Sequence, residues 1–468
     1  MGQAETVAVP QRLPLAVQPS NRDDDTQKDA KIVNAYVEKI EQTGEFWIYK
    51  RPGLSPYGSA QTGNGYGAFN WEGDIYAIFG ATMYKNGVAL SGTLDTTGGV
   101  YRFSSSLGAT PYMQFGNGVA SYNCNAAGTI TAISGANFPS PAVKGWAYLD
   151  GTVYVADSNS NIHGCDSLND PVNWTDTTNV IQAQIEPDGG VGLAKQLVYV
   201  IYLGQWSIEI FYDQQNATAS PLGPVQGAKI NYGCANADSV QELDGVLFLV
   251  ATNRSAAPQI LSIENLKPQI ISTRPIERLL AEADLTQLHS FAIKYEGHRF
   301  YGITLISTNM TLVYDMTDKL WCQWTDANGN YFPIVATTFG PTHGPLLQHA
   351  TNGKLYHFDS DYTTDDGEII TVDIFTPNFD GGVRRRKQLN MMEFIADQTP
   401  GSALQVRCND WDYEATRWTN FRHVDLSVKK PILINNGTFM RRAYHLRHQC
   451  NTRLRLQAIE LQIDLGTL

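Results

Sequence analysis

The chain is predicted to be all-β: a β-propeller of about six degenerate blades, with an N-terminal arm and a C-terminal antiparallel β-sandwich-like domain. Three observations predict this. Gly (41), Tyr (23), Phe (18) and Trp (9) are abundant while charged residues make up only 17%, against roughly 25% in typical domains. Aromatic and β-branched residues punctuated by Gly and Asn favour strands and tight turns. An acidic-or-Asn residue followed by Gly recurs between apolar strands, at Glu72-Gly73, Asn117-Gly118, Asp150-Gly151, Asp244-Gly245, Glu296-Gly297 and Asn352-Gly353. Most of the gaps run from 33 to 56 residues, the period of a multi-stranded repeat such as a propeller blade. Finally, after about residue 366 the beat stops, and Pro377, Gly381-Gly382 and Pro400-Gly401 separate strands of another kind.

Residues 1–55 read as an arm. It begins with Pro10, Pro14 and Pro19 and has no apolar leader segment, so no secretory signal is expected. Asn21-Arg22-Asp23-Asp24-Asp25 is read as a solvated acidic run rather than a cation site. The stretch KIVNAYVEKI is ambiguous between strand and helix. A strand from Phe46 to Tyr49 then leads to the turn Arg51-Pro52-Gly53-Leu54.

Residues 56–365 carry the beat: WEGDIYAIFG, YLDGTVYVAD, ELDGVLFLVA, YEGHRFYGIT and TNGKLYHFDS. The strand pair Leu197 to Leu203 and Trp206 to Tyr212, around Gly204-Gln205, fills the long interval between 151 and 244. One segment departs from the pattern. Thr273 as N-cap, Pro275 in the first turn and Glu277 at the positive end predict a helix over 273–289. Ile276, Leu279, Leu280, Ala283 and Leu288 form its apolar face.

Residues 366–468 predict strands at Gln388 to Ile395, Leu404 to Arg407 and Leu454 to Ile463. In the last, Leu454, Leu456 and Ala458 alternate with Arg453, Arg455 and Gln457, as in a half-buried strand. Charge changes here as well. Residues 1–383 hold 20 Lys+Arg against 38 Asp+Glu, and residues 384–468 hold 14 against 8. An acidic body repels nucleic acid and anionic membranes. Arg384, Arg385, Arg386, Lys387, Arg441 and Arg442 are the candidate assembly contacts; a solvated basic turn is the plainer alternative.

Catalytic, cofactor and metal motifs are not found. The six cysteines are scattered without a CxxC, which predicts free thiols. No apolar run reaches the roughly 18 residues of a membrane span, so no membrane insertion is expected. There is no G-x-S-x-G, HExxH, phosphate loop or dinucleotide fingerprint. His445 and His448 would face opposite sides of a strand, which argues against zinc. Glu186, Asp188 and Glu209 are read as carboxylates that bond turns and backbone N–H groups rather than as catalysts.

Two segments are specific. Pro187-Asp188-Gly189 followed by Gly192-Leu193, then Gly204 with Ser207-Ile208-Glu209 and Phe211, resembles the tail-hub (nozzle) proteins of short-tailed phages, the packaged-DNA stabilisation proteins. In the same order, Ile276 to Leu280, Leu312-Val313-Tyr314-Asp315, Trp321-Cys322, Gly353-Lys354-Leu355 and Phe358-Asp359 are similar to that family, from about residue 140 to 365. The resemblance implies a virion tail protein, made in the host bacterial cytoplasm, without enzymatic activity or cofactor. It implies a self-assembled ring, expected to be of six subunits, below the portal-adaptor ring. Such a ring retains packaged double-stranded DNA, passes it without specific binding and carries a tail needle, fibres or spikes. It also implies a structural role for Pro187, Asp188, Gly189, Gly192, Ser207, Ile208 and Glu209. The alternative is a glycan-binding or glycan-degrading propeller of the tail, since sugar rings stack on the many Trp and Tyr side chains.

Overall fold

A computed structural model describes residues 11–15, 30–40, 43–108, 110–166, 170–216, 218–340, 342–411, 414 and 416–465. The Asp23–Asp25 run lies outside them. The chain forms two compact units: Pro56–Asn309 with Pro333–His357, and Met1–Ser55 with Met310–Phe332 and Phe358–Leu468. No described helix is long and apolar enough to cross a membrane.

The first unit is a β-propeller, as the sequence predicts. Five complete antiparallel sheets follow one another along the chain, beginning at Gly65–Trp71, Arg102–Ser105, Ala147–Leu149, Gly190–Gln196 and Gly233–Cys234. The hairpin Leu288–Tyr295 with His298–Leu305 and the sheet begun by Ile334–Gly340 continue the ring. Hydrogen bonds tie each sheet to the next. Tyr101 N donates to Tyr66 O (2.7 Å) and Leu193 N to Lys144 O (3.1 Å). Gln196 Nε2 reaches Ile263 O (2.6 Å), and Gln241 Nε2 reaches Ser290 O (2.9 Å). Closure comes from Gln348, whose buried amide accepts from Gly67 N (2.7 Å) and donates to Ile78 O (2.8 Å), joining the last sheet to the first.

The recurring turns work as the sequence requires at four positions. Glu72-Gly73, Asp150-Gly151, Asp244-Gly245 and Glu296-Gly297 have positive φ at both residues, the geometry that matches strand twist in a two-residue hairpin. The Asn turns differ. Asn117 instead accepts from Val119 N (3.1 Å) and Ala120 N (2.9 Å), and Asn352 accepts from Lys354 N (3.0 Å). An Asn side chain can replace the backbone turn in this way.

Two local expectations shift. The helix is Arg274–Glu282, shorter than 273–289, and Leu288 and His289 open a strand. The cause is Asp284, whose carboxylate accepts from Thr286 N (3.0 Å) and Thr286 Oγ1 (2.7 Å) and offers the backbone a turn instead. Thr273 holds the N-cap position, but its side chain makes no capping bond. Ile276 and Leu280 are fully buried. The strand pair near residue 200 is Tyr199–Gly204 with Ile208–Asp213. Leu197 has φ +52 and forms a hairpin tip, leaving it and Val198 exposed.

The second unit joins both ends of the chain. One sheet orders Ala35–Lys39, Phe46–Lys50, Arg455–Leu465, Lys387–Ala396 and Ile432–Ile434. Another path runs Met310–Asp315, Leu320–Trp324, Lys31–Val33, Val372–Phe375, Ala443–His448, Ala403–Asn409 and Arg422–Asp425. KIVNAYVEKI is therefore two strands. They break at Asn34, whose φ of +56 suits Asn. The alternation of Leu454, Leu456 and Ala458 is buried as expected, but Ile459 and Leu461 are buried as well, past an irregularity of register opposite Ile395–Ala396. All six cysteines are free, with Cys124, Cys165, Cys234 and Cys322 buried and Cys408 and Cys450 half-buried.

Candidate functional site

The PDG turn is built around one carboxylate. Asp188 accepts from Trp206 N (2.7 Å), Ser207 N (2.9 Å) and Ser207 Oγ (3.3 Å). It thereby satisfies the turn between the strands Tyr199–Gly204 and Ile208–Asp213. Gln205 N adds a bond to Gly189 O (3.0 Å). Gly192 sits where the chain passes the neighbouring sheet: a Cβ there would lie 3.1 Å from Lys144 O and 3.2 Å from Ala237 Cβ. Ile208 is wholly buried in the core between the fourth and fifth sheets.

Glu209 is 2% exposed, and its carboxylate accepts from Ile185 N (2.8 Å). Burial raises its pKa, while backbone N–H groups of Ile185, Glu186 and Gln184 pull the other way. Asp188 and Glu209 thus spend their oxygens on the backbone. Glu186, beside them, is paired with Lys229 (2.5 Å) and Arg254 (3.5 Å).

The propeller axis holds a cavity of about 480 Å³ lined by the inner strands. Inside it Lys144 Nζ meets Asp238 (2.7 Å), and Arg102 donates to Ala237 O (3.0 Å) with Asp238 3.9 Å away. His289 lies near this cluster, and burial lowers its pKa against the pull of Asp238. Sequence reading missed these charges because each comes from a different sheet.

The basic candidates divide. Arg384, Arg385 and Arg386 are exposed, and Arg441 is half-buried. Lys387 is 1% exposed and is no surface contact. Its ammonium donates to Arg385 O (2.9 Å), Met440 O (3.0 Å) and Val383 O, and lies over the Phe439 ring. Arg442 is 4% exposed and is clamped on Asp410, Nε to Oδ1 at 2.5 Å and Nη2 to Oδ2 at 2.8 Å. Both hold turns together, because a long cation can satisfy several carbonyls that no backbone N–H reaches.

The charge split along the chain does not follow the compact units. The propeller unit holds 12 Lys+Arg against 20 Asp+Glu, and the other unit 22 against 26. Within the latter, basic residues of the tail are paired with the acidic stretch before it, as in Arg453–Asp361 (2.5 Å) and Arg447–Asp373 (2.8 Å).

His445 and His448 are both fully buried. Arg407 Nε donates to His445 Nδ1 (2.8 Å), so the proton sits on Nε2 and is given to Asp373 (2.6 Å). Burial works to raise the Asp373 pKa, but the bonds from His445 and Arg447 outweigh it and hold the carboxyl low. His448 Nε2 instead faces Ser402 Oγ (3.1 Å) and Thr452 Oγ1 (3.2 Å).

A family model described as bacteriophage P22 Gp10, beta-propeller, matches residues 29–340, more than half of the chain. No curated protein sequence matches. Among solved structures, a streptogramin B lyase is 12% identical with a TM-score of 0.40, covering 69% of this chain and 97% of its own. Virginiamycin B lyase from Staphylococcus aureus is 9% identical with a TM-score of 0.42, covering 66% of this chain and 98% of its own. The RRP9 WD40 repeats are 8% identical with a TM-score of 0.42, covering 66% and 99%. No activity carries over from likenesses this distant.

Proposed function

We propose a function from the premise that the chain belongs to the Phage_stabilise family, that of the bacteriophage P22 Gp10 β-propeller. Membership makes it a DNA-stabilising β-propeller protein of the phage tail and hence a virion component. The finer reading is a nozzle. Several copies, taken as six, form a ring below the portal-adaptor ring, extend its DNA channel, retain packaged DNA and carry a needle, fibres or spikes. The protein is made in the host cytoplasm and catalyses nothing.

The family match carries this reading, and physical arguments support it. The propeller's own axis cannot be the conduit. A cavity of about 480 Å³ partly filled by Lys144, Asp238 and Arg102 does not admit a duplex whose major groove alone is about 12 Å wide. A DNA channel therefore needs a hole enclosed by several copies, and closed rings use heterologous contacts between two different faces. The acidic propeller unit also avoids the phosphate contacts that would make sliding costly and salt-dependent. That Asp188 and Glu209 are occupied by backbone N–H groups favours a structural over a catalytic use.

Arg384, Arg385 and Arg386 remain candidate contacts, exposed beside Val383, Met440 and Leu465. Lys387 does not, and replacing it would unsettle the fold. The test is the triple variant Arg384→Gln, Arg385→Gln, Arg386→Gln, examined by negative-stain imaging and sedimentation with and without the adaptor ring. Wild type is expected to give rings with a central hole. The variant is expected to fold normally yet assemble more weakly, most visibly at moderate salt, since exposed pairs contribute only about 0.2–1 kcal/mol each and are screened. A variant that assembles like wild type at every salt concentration removes the three arginines from the interface. A wild type that forms no ring, alone or on the adaptor, removes the nozzle reading.

A further inference from the structure

The PDG turn and the adjacent hairpin tip border an open groove of about 850 Å³, within the range of small-molecule sites. Its lining is unusual in kind. Asn159, Gln182, Gln184 and Gln205 present exposed amides, and Trp206 stands at the tip, 37% exposed. The charged lining residues are Glu186, Asp188 and Arg254; Glu186 is paired with Arg254 and with Lys229 outside the lining, so the groove carries no net positive charge.

The tip is also held still. Asp188 takes the N–H groups of Trp206 and Ser207. Gly189 O takes that of Gln205, and Thr252 Oγ1 donates to Gln205 O. Gly233 packs so closely that a Cβ there would lie 2.0 Å from Gln205 O. A large aromatic on a pinned loop makes contact at little entropic cost.

The geometry points to a non-catalytic binding site for a neutral oligosaccharide. Each amide offers both a donor and an acceptor, which matches hydroxyls that do the same. The indole supplies an apolar face for the C–H surface of a sugar ring. A phosphate-rich ligand would find no net positive charge, and an apolar peptide would find a lining of amides and hydroxyls. In a tail protein the ligand class would be a host-surface polysaccharide. The site is built within one chain, from the fourth sheet and its neighbours.

The experiment is isothermal titration of the full chain with three probes: a neutral O-antigen oligosaccharide, dextran oligomers and a single-stranded DNA 12-mer. Saturable binding of a saccharide probe is expected, without release of shorter products and without comparable binding of DNA. Trp206→Ala should weaken it at least tenfold, and Gln182→Ala with Gln184→Ala several-fold, while circular dichroism and ring formation stay as in wild type. The two amide variants keep the test open if Trp206→Ala misfolds. The inference fails if neither saccharide binds, if DNA binds in preference, or if folded Trp206→Ala binds as wild type does. Rings that form without saccharide binding overturn this site and leave the nozzle standing.

Discussion

Replacing Arg51 with Met is expected to lower the stability of the unit that carries it by about 3–5 kcal/mol, the usual cost of breaking a buried ion pair from one side. The Arg51 side chain is 0% exposed and Asp365 opposite it 14%. The guanidinium donates twice to Asp365, at 3.0 and 2.5 Å, and also to Asn34 Oδ1 (3.0 Å), Thr325 O (3.0 Å) and Pro52 O (3.1 Å). The Phe332 ring lies 4.7 Å from it. Asn34 completes the junction, accepting from Thr325 N (2.8 Å) and donating to Thr371 O (2.9 Å). Three remote segments meet there, so Arg51→Met leaves a carboxylate and two carbonyls unpaired at once. Urea unfolding is the measurement. Pairing the change with Asp365→Leu should recover part of the loss, because the uncompensated charge then disappears. A single-variant loss below about 1 kcal/mol would mean the pair behaves like an exposed one.

Arg51 also shows where sequence reading runs out. In the sequence it belongs to Arg-Pro-Gly-Leu, where only a turn is legible. Its partner Asp365 is 314 residues away, beyond any periodicity. Lys387 and Arg442 fail in the same way: a basic run looks like surface until the carbonyls it satisfies are placed around it. What was legible was local. The Asp-Gly and Glu-Gly turns announce themselves because only certain residues accept positive φ. The PDG segment was legible as a motif but its reason was not, because the turn that Asp188 closes lies 18 and 19 residues further on, at Trp206 and Ser207. The groove was half legible. Trp206 stood beside a predicted turn, but Gln182 and Gln184 join it only because adjacent blades pack side by side. The helix ended early because Asp284 bonds its own neighbours, a competition that apolar spacing does not register.

Acidification from pH 7.5 to 5 is expected to remove about 2 kcal/mol through His448 alone. The imidazole is wholly buried, and burial with the nearby Lys50 charge pushes its pKa down to about 3, against about 6.5 in an unfolded chain. The unfolded state therefore takes up a proton that the native state refuses. The contribution is fully present above pH 6.5 and is lost progressively as pH falls toward 3, at about 1.4 kcal/mol per pH unit. His445 and His289, also lowered by burial, act in the same direction. Lys50 does not contribute to this slope. Burial brings it down to about 8, so between pH 7 and 5 it is charged in both states. The carboxylates held low by hydrogen bonds, Asp373 among them, titrate below the window. Between pH 6.5 and 5 the buried histidines lower stability as pH falls, and Glu209, raised by burial, acts against them; the His448→Gln comparison separates the His448 share. Urea unfolding of wild type and His448→Gln at pH 7.5, 6.5, 5.8 and 5.0 reads the effect. The variant should start less stable, having lost a packed ring, yet fall less steeply with pH, by close to one proton. Parallel slopes would show that His448 takes up a proton in the native state and that its burial does not govern acid stability.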